Sequence, residues 1–350
     1  MFINLEKDQI KFCIVGSGKT CTVFADLLRK FNFPDPVVVT WEKSLHKRDQ
    51  SIMKNQKEYK DIFEYCSLNN ICIYEAKNIN NIETINFLNK KGINMIISLA
   101  SRWIFRENII KVFKGSIFNL HHGLLPTERG STIYPRIMNN NNIISASLHK
   151  ISDGIDTGNI LYINSKKTTN KKYSISEVNA INLEISKEIL TKFLNDLIKK
   201  KEIKEKSQKI DEGIYMPIFH TETNGAIDWN WEADEIERFM RAFGSPFPGA
   251  FTYYKNQKIS LLEGYVEVSE NKYHPYFNGR IVNIKSDKSI KIITNKNYLI
   301  VNKITFGDFQ GRPGEIIKLS SNAVFHTPLN ILEKSKTNFI SSLKMKPLEE

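Results

Sequence analysis

Cysteine is scarce and unpatterned in this sequence. The four cysteines, Cys13, Cys21, Cys66 and Cys72, lie in the first quarter of the chain, and no two of them form a CxxC pair. A zinc knot needs closely spaced pairs of ligands, and disulfides are rare in reducing compartments. We therefore expect reduced thiols, no disulfide and no metal site.

Long apolar runs are also lacking. No stretch reaches the roughly 18 uncharged apolar residues of a membrane span. The opening segment MFINLEKDQIKF is charged where a signal peptide would be apolar. We expect a cytoplasmic protein without a membrane partner. With 350 residues, of which 41% are hydrophobic, the chain is long enough for two domains.

Acidic residues are fewer than basic ones, 38 against 50, and the formal net charge is +12. A basic surface can bind nucleic acid because its contacts release counterions from phosphates. Lysine is abundant together with asparagine and isoleucine, however, in runs such as NKKGIN and TNKNYLIVNKI. This bias in composition favours the interpretation that the positive charge is spread over a solvated surface. The alternative is that it binds a polyanionic partner.

Apolar strands alternate with amphipathic helices in the first hundred residues. The pattern predicts buried strands at residues 10–15, 36–40, 71–74 and 95–99, and helices at residues 21–31, 54–69 and 81–90. Strands that alternate with helices of this length pair in parallel. The predicted fold class is α/β, with a doubly wound, mostly parallel sheet.

The rest of the chain has a different pattern. A long helix is predicted at residues 174–200 with Ser176 at its start, followed by an exposed lysine-rich connector at 199–209. After a short helix at 233–243, apolar runs broken by Gly, Asn and Asp predict a small antiparallel sheet or open barrel. We place the domain boundary near residue 210, with an α/β domain at 1–209 and a β-rich domain at 210–350.

Polar side chains follow an apolar run in the segment IFNLHHGLLPTERG. Asn119 and His121 are two positions apart, so an extended chain places them on one face and His122 on the other. Asp156 follows in LHKISDGIDTGNILY, between Gly154 and Gly158. In doubly wound sheets ligands bind beyond the carboxyl ends of the strands, so we expect these side chains to meet at one strand edge.

These residue types suit a direct acyl transfer. An asparagine amide can donate to a developing oxyanion, a histidine can accept or relay a proton, and an aspartate can orient the imidazole. No serine or cysteine nucleophile stands beside them. The acyl group is therefore expected to pass directly to an incoming amine.

The motifs NLHHGLLPTERG and DGIDTG resemble those of the formyltransferases that use 10-formyltetrahydrofolate. That family includes methionyl-tRNA formyltransferase and the sugar N-formyltransferases of surface-polysaccharide pathways such as lipopolysaccharide O-antigen synthesis. The later segment AIDWNWEADEIERFMRAFGSPFPGAF is similar to the family's second domain. The resemblance implies a Rossmann-like catalytic domain with Asn119, His121 and Asp156 as catalytic residues.

The resemblance also implies a cofactor site for 10-formyltetrahydrofolate. In the family, the loop before the catalytic strand and the loop before the catalytic aspartate enclose the pterin. The corresponding residues here are Trp103, Ile104, Phe105, Leu125, Asp153, Gly154 and Ile155. The sequence departs from the family at His122, where a small residue is common, and at 131–135, which lacks the usual Ala-Pro.

The acceptor is expected to be the amine of a nucleotide-linked amino sugar. The amino-terminal segment lacks the Thr-Pro-Asp-Phe-Ala turn of methionyl-tRNA formyltransferases, and SPFPGAF is closer to the sugar enzymes. Methionyl-tRNA formyltransferase is the alternative, supported by the basic charge, and a formyltetrahydrofolate hydrolase is a further one. A homodimer is compatible with the sequence, which does not define the oligomeric state.

Other suggestive residues are given structural interpretations. His122 is interpreted as structural, and the alternative is a position at the edge of the acceptor site. His149 is interpreted as a core residue, and the alternative is a supporting contact to the site. The turn VGSGKTC matches neither the phosphate loop nor the dinucleotide fingerprint, because Cys13 and Cys21 replace the required glycines. The Trp229 and Trp231 pair is interpreted as core packing.

Overall fold

The structure is a computed structural model that describes residues 5–53, 59–170, 172–320 and 322–339. Its amino-terminal half contains a seven-stranded sheet of order β3-β2-β1-β4-β5-β7-β8, and the short strand β6 lies outside that sheet. The strands are β1 Phe12–Gly16, β2 Val37–Thr40, β3 Ile73–Glu75, β4 Met95–Leu99, β5 Ile117–His121, β6 Glu128–Gly130, β7 Ile143–Lys150 and β8 Ile160–Lys167.

The first five strands of this sheet are parallel, whereas β7 and β8 are antiparallel. Strand β1 explains why apolar runs are continuous here. Phe12 and Ile14 face one hydrophobic core, and Cys13 and Val15 face the other. Both faces are covered by helices, so neither face of the strand needs polar residues. The predicted α/β fold with a mostly parallel sheet is confirmed.

Seven helices connect or cover these strands within the described residues. They are α1 Lys19–Lys30, α2 Lys47–Met53, α3 Ile62–Leu68, α4 Ile82–Lys90, α5 Glu107–Val112, α6 Ile133–Met138 and α7 Ile175–Ile198. In this part of the chain no helix is long and apolar enough to cross a bilayer. The four cysteines all lie in the described ranges as unpaired thiols, three of them buried.

The helix predicted at residues 54–69 is shorter than the sequence pattern indicated. Only Ile62–Leu68 is helical, and residues 54–58 lie outside the described residues. Asp61 starts the helix because its carboxylate accepts hydrogen bonds from the backbone N–H groups of Phe63 and Glu64, at 2.8 and 3.0 Å. The prediction was wrong because apolar spacing alone does not reveal such a cap.

The long helix α7 begins at a different serine from the one predicted. Ser174, not Ser176, is the residue before the helix, and its hydroxyl accepts from the backbone N–H of Glu177. The Glu177 carboxylate accepts from the Ser174 backbone N–H at 2.7 Å in return. This reciprocal capping box satisfies two N–H groups that a helix start leaves without partners.

The carboxy-terminal half contains a six-stranded antiparallel sheet of order β10-β11-β14-β13-β12, with β15 paired to β14. Its strands are β10 Ala250–Tyr254, β11 Gln257–Glu267, β12 Ile281–Ile284, β13 Ile290–Ile293, β14 Tyr298–Phe306 and β15 Phe309–Gly311. The strand β9 Ile214–Met216 precedes this sheet, and the helices are α8 Thr221–Asn224, α9 Ala233–Ala242, α10 Pro313–Ile316 and α11 Leu329–Thr337. The predicted β-rich region is confirmed.

The segment between the two sheets is attached to the first of them. Lys206 exchanges two backbone hydrogen bonds with Ile160 of β8, at 2.8 and 2.9 Å. Strand β9 then pairs in parallel with β6. The lysines of the predicted connector are exposed, but Ile203 is buried in the core. The chain therefore remains paired with strands of the amino-terminal half as far as Met216.

Candidate active site

Two neighbouring strands supply the central side chains of the site. Asn119 and His121 lie on β5, and the adjacent strand β7 places His149 directly opposite Asn119. Because alternate residues of a strand point to the same face, all three side chains share one face of the sheet. His121 and His149 are 7% and 2% exposed, so both imidazoles are largely removed from water.

Asp156 reaches this face from the loop between β7 and β8. The loop leaves β7 beside the first residue of β5, where Ile151 donates to the Ile117 carbonyl at 2.9 Å. It then folds back so that Asp156 contacts both Asn119 and His121. Asp156 has a left-handed backbone (φ 53°), which aspartate tolerates better than most residues. Asn119, His121 and Asp156 therefore meet beside the carboxyl end of β5, with Asp156 supplied by a loop that folds back over this face of the sheet.

The Asp156 carboxylate is the common partner of the site. Its Oδ1 accepts from Asn119 Nδ2 at 3.3 Å, and its Oδ2 accepts from the Gly130 backbone N–H at 3.0 Å and lies 3.4 Å from His121 Nδ1. Burial raises the pKa of Asp156, but the two histidines and the Gly130 N–H stabilise its anion more strongly. The net pKa lies well below the usual range, so the group is a carboxylate at neutral pH.

His121 has an acceptor beside each ring nitrogen. Nε2 lies 2.6 Å from the Glu128 carbonyl oxygen, which can only accept, so Nε2 donates this hydrogen bond. Nδ1 faces the Asp156 carboxylate. Burial lowers the pKa of His121, and the nearby Asp156 charge opposes that effect. Burial therefore favours the neutral imidazole, whereas the adjacent Asp156 carboxylate would stabilise a proton taken up at Nδ1.

The carbonyl beside His121 is held in place by the Glu128 side chain. Glu128 Oε2 accepts from Arg136 Nη2 at 2.7 Å and from the Leu124 backbone N–H at 3.0 Å. The Arg136 side chain is fully buried and that of Glu128 is 26% exposed, so this ion pair is partly shielded from solvent. The pair fixes the turn after β5 and hence the position of the Glu128 carbonyl.

Comparison with known protein families identifies the family of this chain. The sequence profile of the formyl transferase family matches residues 9–194, and the profile of the formyl transferase carboxy-terminal domain matches residues 220–315. The chain belongs to the formyl transferase family. The expectation of a formyltransferase enzyme is therefore confirmed, and the residues discussed above lie within the first of the two matched regions.

Two curated proteins and one solved structure illustrate what this formyltransferase is similar to. The bifunctional polymyxin resistance protein ArnA of Wigglesworthia glossinidia brevipalpis is 34% identical over 230 residues, which cover 64% of this chain and only 34% of that protein. A methionyl-tRNA formyltransferase of Buchnera aphidicola is 30% identical over 249 residues, or 69% of this chain and 75% of that protein. Both relatives thus match through about two thirds of this chain.

The solved structure is an N-formyltransferase from Helicobacter canadensis in complex with folinic acid and dTDP-3-aminofucose. It has a TM-score of 0.59 and 20% sequence identity, and the match covers 83% of this chain and 98% of that protein. At this level of identity the likeness concerns the fold, which spans both sheets.

One contact of this formyltransferase site was not apparent from the sequence, and another was considered there only as an alternative. Gln208 Nε2 donates to the carbonyl oxygens of Asp156 and Gly158, at 2.9 and 2.6 Å, and so holds the loop that carries Asp156. His149, interpreted as a core residue, is indeed buried. Its Nε2 atom also lies 3.2 Å from Asn119 Nδ2 and 3.4 Å from Asp156 Oδ1. Both contacts depend on chain pairings that single-sequence patterns do not define.

His122 points to the opposite face of β5, as the alternation predicted. Its Nε2 donates to the Ser186 hydroxyl of α7 at 3.0 Å, since that hydroxyl itself donates to the Asn182 carbonyl. Burial lowers the pKa of His122 to about 4, with the neighbouring His121 and Arg136 acting in the same direction. His122 is therefore a neutral structural residue.

The residues assigned to the folate differ in accessibility. Trp103 and Ile104 are half-buried, and Trp103 makes an edge contact with Trp41 at 6.0 Å between ring centroids. Phe105 and Leu125 are only 4% and 2% exposed, so they could offer mainly backbone groups to a ligand. In the Asp156 loop, Asp153 and Gly154 are exposed and Ile155 is half-buried. Their role in folate binding stays a prediction.

Proposed function

We propose that this protein transfers a formyl group from 10-formyltetrahydrofolate to the amine of a nucleotide-linked amino sugar. One observation carries the reaction type: a single carboxylate, Asp156, contacts both the amide of Asn119 and the imidazole of His121. The family assignment supports the formyl transfer and the folate cofactor. A cytoplasmic location, a role in surface-polysaccharide synthesis and a domain boundary near residue 210 belong to the same proposal.

Formyl transfer requires stabilisation of negative charge on the formyl oxygen and removal of a proton from the amine, and the side chains of the site suit both. When bound, the cofactor supplies the formyl group. Asn119 carries N–H groups that can stabilise negative charge on the formyl oxygen, an effect worth about 10² to 10³ in rate. His121 accepts the proton of the attacking amine, worth roughly 10² to 10⁴ in rate, and Asp156 stabilises the resulting imidazolium. The imidazolium can then return this proton to the nitrogen from which the formyl group leaves as the original C–N bond breaks.

The folate fits the loops that flank β5. The loop after β4 starts beside the catalytic strand, because Ser98 of β4 pairs with Asn119. Its half-exposed apolar residues Trp103 and Ile104 suit a planar heterocycle, and Ile155 offers another apolar surface on the Asp156 loop. We propose these loops as the pterin site, together with the backbone of Phe105 and Leu125.

The acceptor proposal has support from two sources. The protein lacks the Thr-Pro-Asp-Phe-Ala turn, having VGSGKTC after its first strand. The Helicobacter canadensis enzyme, whose fold is similar over most of the chain, was solved with dTDP-3-aminofucose. Initiator-tRNA formylation is the second candidate, favoured by the net charge of +12 and by the similarity to methionyl-tRNA formyltransferase.

A panel of acceptors tests this proposal. The full chain is incubated with 10-formyltetrahydrofolate and, separately, with dTDP-, UDP- and GDP-linked amino sugars, methionyl-tRNA or no acceptor. Formylation of one amino sugar is expected, detected by mass spectrometry. Formylation of methionyl-tRNA alone would overturn the sugar assignment, and formate release without any acceptor would favour a hydrolase.

Replacing His121 tests its role as the proton acceptor. We expect His121→Asn to lower kcat by roughly 10² to 10⁴ because the amide cannot take up the proton. Binding of the folate, measured by isothermal titration calorimetry, should change little. The exposed His274 gives a matched control, since His274→Asn removes an imidazole outside the site. Unimpaired turnover by His121→Asn would contradict the assignment.

A further inference from the structure

His149 is buried at the centre of the site, on the strand opposite Asn119. It is the direct cross-strand partner of Asn119 and is 2% exposed. A position that served only packing would normally hold an apolar side chain, because a buried imidazole must find partners for both nitrogens. Both nitrogens of His149 have partners, and one of those partners is Asn119.

A backbone carbonyl sets the protonation pattern of this ring. His149 Nδ1 lies 2.7 Å from the carbonyl oxygen of Lys150, which can only accept a hydrogen bond. Nδ1 therefore carries a proton, and because Asn119 Nδ2 can only donate, the Nε2 atom facing it is on the accepting side of their contact. Nε2 lies 3.2 Å from Asn119 Nδ2, so it accepts an N–H from the amide.

The consequence is a fixed orientation of the Asn119 amide. Asn119 Nδ2 lies 3.2 Å from His149 Nε2 and 3.3 Å from Asp156 Oδ1, and those two atoms are only 3.4 Å apart, so one N–H of the amide faces both of them. A flipped amide would place its oxygen against a lone pair and a carboxylate, which is unfavourable for both contacts. The other N–H is directed away from both acceptors and can donate to a substrate oxygen, and if Asp156 is drawn towards a protonated His121, the His149 contact still holds the first N–H.

We propose that His149 is a positioning residue for formyl transfer, which anchors one N–H of Asn119 so that the other can stabilise negative charge on the formyl oxygen. The inference rests on the proposed function. Without the anchor, the amide can rotate when Asp156 turns to His121. The expected loss is therefore in kcat, whereas the KM for the folate should change little.

Two substitutions separate anchoring from packing. The Gln side chain can place an amide oxygen near the position of Nε2, whereas Asn is too short to reach it. We expect His149→Asn to lower kcat by about 10²-fold, as a small misplacement of a catalytic group does, and His149→Gln to recover most of that loss. His122→Gln is the matched control, since it replaces a neighbouring histidine on the opposite face of β5.

A second readout does not depend on turnover. In protein labelled with ¹⁵N-asparagine, the Asn119 side-chain amide signals should shift in His149→Asn and return towards their wild-type positions in His149→Gln. Wild-type kcat and amide signals in His149→Asn would overturn the inference while leaving the proposed function intact. If the wild type formylates no acceptor, the proposed function fails, and the amide signals still decide whether His149 anchors Asn119.

Discussion

Two neighbouring histidines at the end of β5, His121 within the strand and His122 just after it, have opposite surroundings. His121 faces the Asp156 carboxylate, which supports a positive charge on its ring. His122 faces α7 and donates to the Ser186 hydroxyl, with no carboxylate partner among its described contacts. Because burial without an anion disfavours the charged imidazole, only His121 is suited to take up a proton during turnover.

The environment of His122 predicts a pH-dependent stability. Its pKa is about 4 in the folded protein, against an ordinary value of 6.5. As the pH falls below 6.5 the unfolded chain takes up this proton while the folded protein does not, so stability decreases towards pH 4. We expect the free energy of unfolding to fall by about 1 to 2 kcal/mol between pH 7 and pH 5 from this residue alone.

The measurement is urea denaturation at pH 7, 6 and 5, compared with His122→Gln. Gln can still donate to Ser186 but does not titrate, so the variant should lose less stability over this range. The His122→Gln variant keeps the pH dependence contributed by His121, whose pKa is also lowered by burial. Parallel curves for the variant and the wild type would contradict this account of His122.

At the scale of elements, the start of α7 provides a direct comparison between two serines. Ser174 caps the helix in a reciprocal pair with Glu177, whereas Ser176 lies within its first turn. We expect Ser174→Ala to lower the free energy of unfolding by about 1 kcal/mol, within the range measured for such caps. Ser176→Ala should have a smaller effect. Equal losses in the two variants, measured by urea denaturation, would show that the capping box adds little.

Helices and strands could be predicted from the sequence where a local pattern of apolar residues was enough to define them. Strands β1 and β4 have continuous apolar runs because both faces of the sheet are covered. Strands β6 and β9 have three residues each, too few for a recognisable period, and their pairing joins segments that are far apart in sequence. The helix predicted at 54–69 was too long because the Asp61 cap interrupts a run that otherwise has helical spacing.

The site shows the same difference between residues defined by a local pattern and residues brought in by pairing of distant segments. Asn119 and His121 were assigned to one face from their separation of two residues, and the structure places them there. His149 and Gln208 contact the site through strand register and a connector that lies against β8. Neither contact follows from local spacing, so sequence reasoning located the candidate residues Asn119 and His121 better than the residues that contact them, and their catalytic role stays a prediction.

At the scale of the whole molecule, the two sheets share one continuous hydrophobic core. Helix α9 joins them, since Arg238 donates to the Met138 carbonyl and Arg241 to the Tyr173 carbonyl, at 2.8 and 2.9 Å. The Tyr134 ring of α6 also packs against Phe243, with ring centroids 4.9 Å apart. The second sheet is therefore held against the catalytic region by apolar and polar contacts.

The charge of the second sheet is partly neutralised by its own carboxylates. Glu267 forms ion pairs with both Lys285 and Lys291, and Arg312 pairs with Asp287 at 2.8 Å. Cations that already have anionic partners release fewer counterions when they meet a phosphate chain. These pairs leave the net charge of +12 unchanged, but they reduce the number of unpaired cations with which this sheet could contact a phosphate chain.

Salt dependence separates the two acceptors. An enzyme that contacts six to ten phosphates of an RNA loses about 10³ to 10⁵ in affinity between 50 and 200 mM salt. A nucleotide sugar carries only its diphosphate, so we expect kcat/KM for the amino sugar to fall by less than about tenfold over the same range, through screening alone. The assay is initial-rate kinetics at fixed folate with the amino sugar that the acceptor panel identifies. A collapse of several orders of magnitude with methionyl-tRNA as substrate, combined with turnover of that substrate at low salt, would instead assign the basic residues to RNA binding.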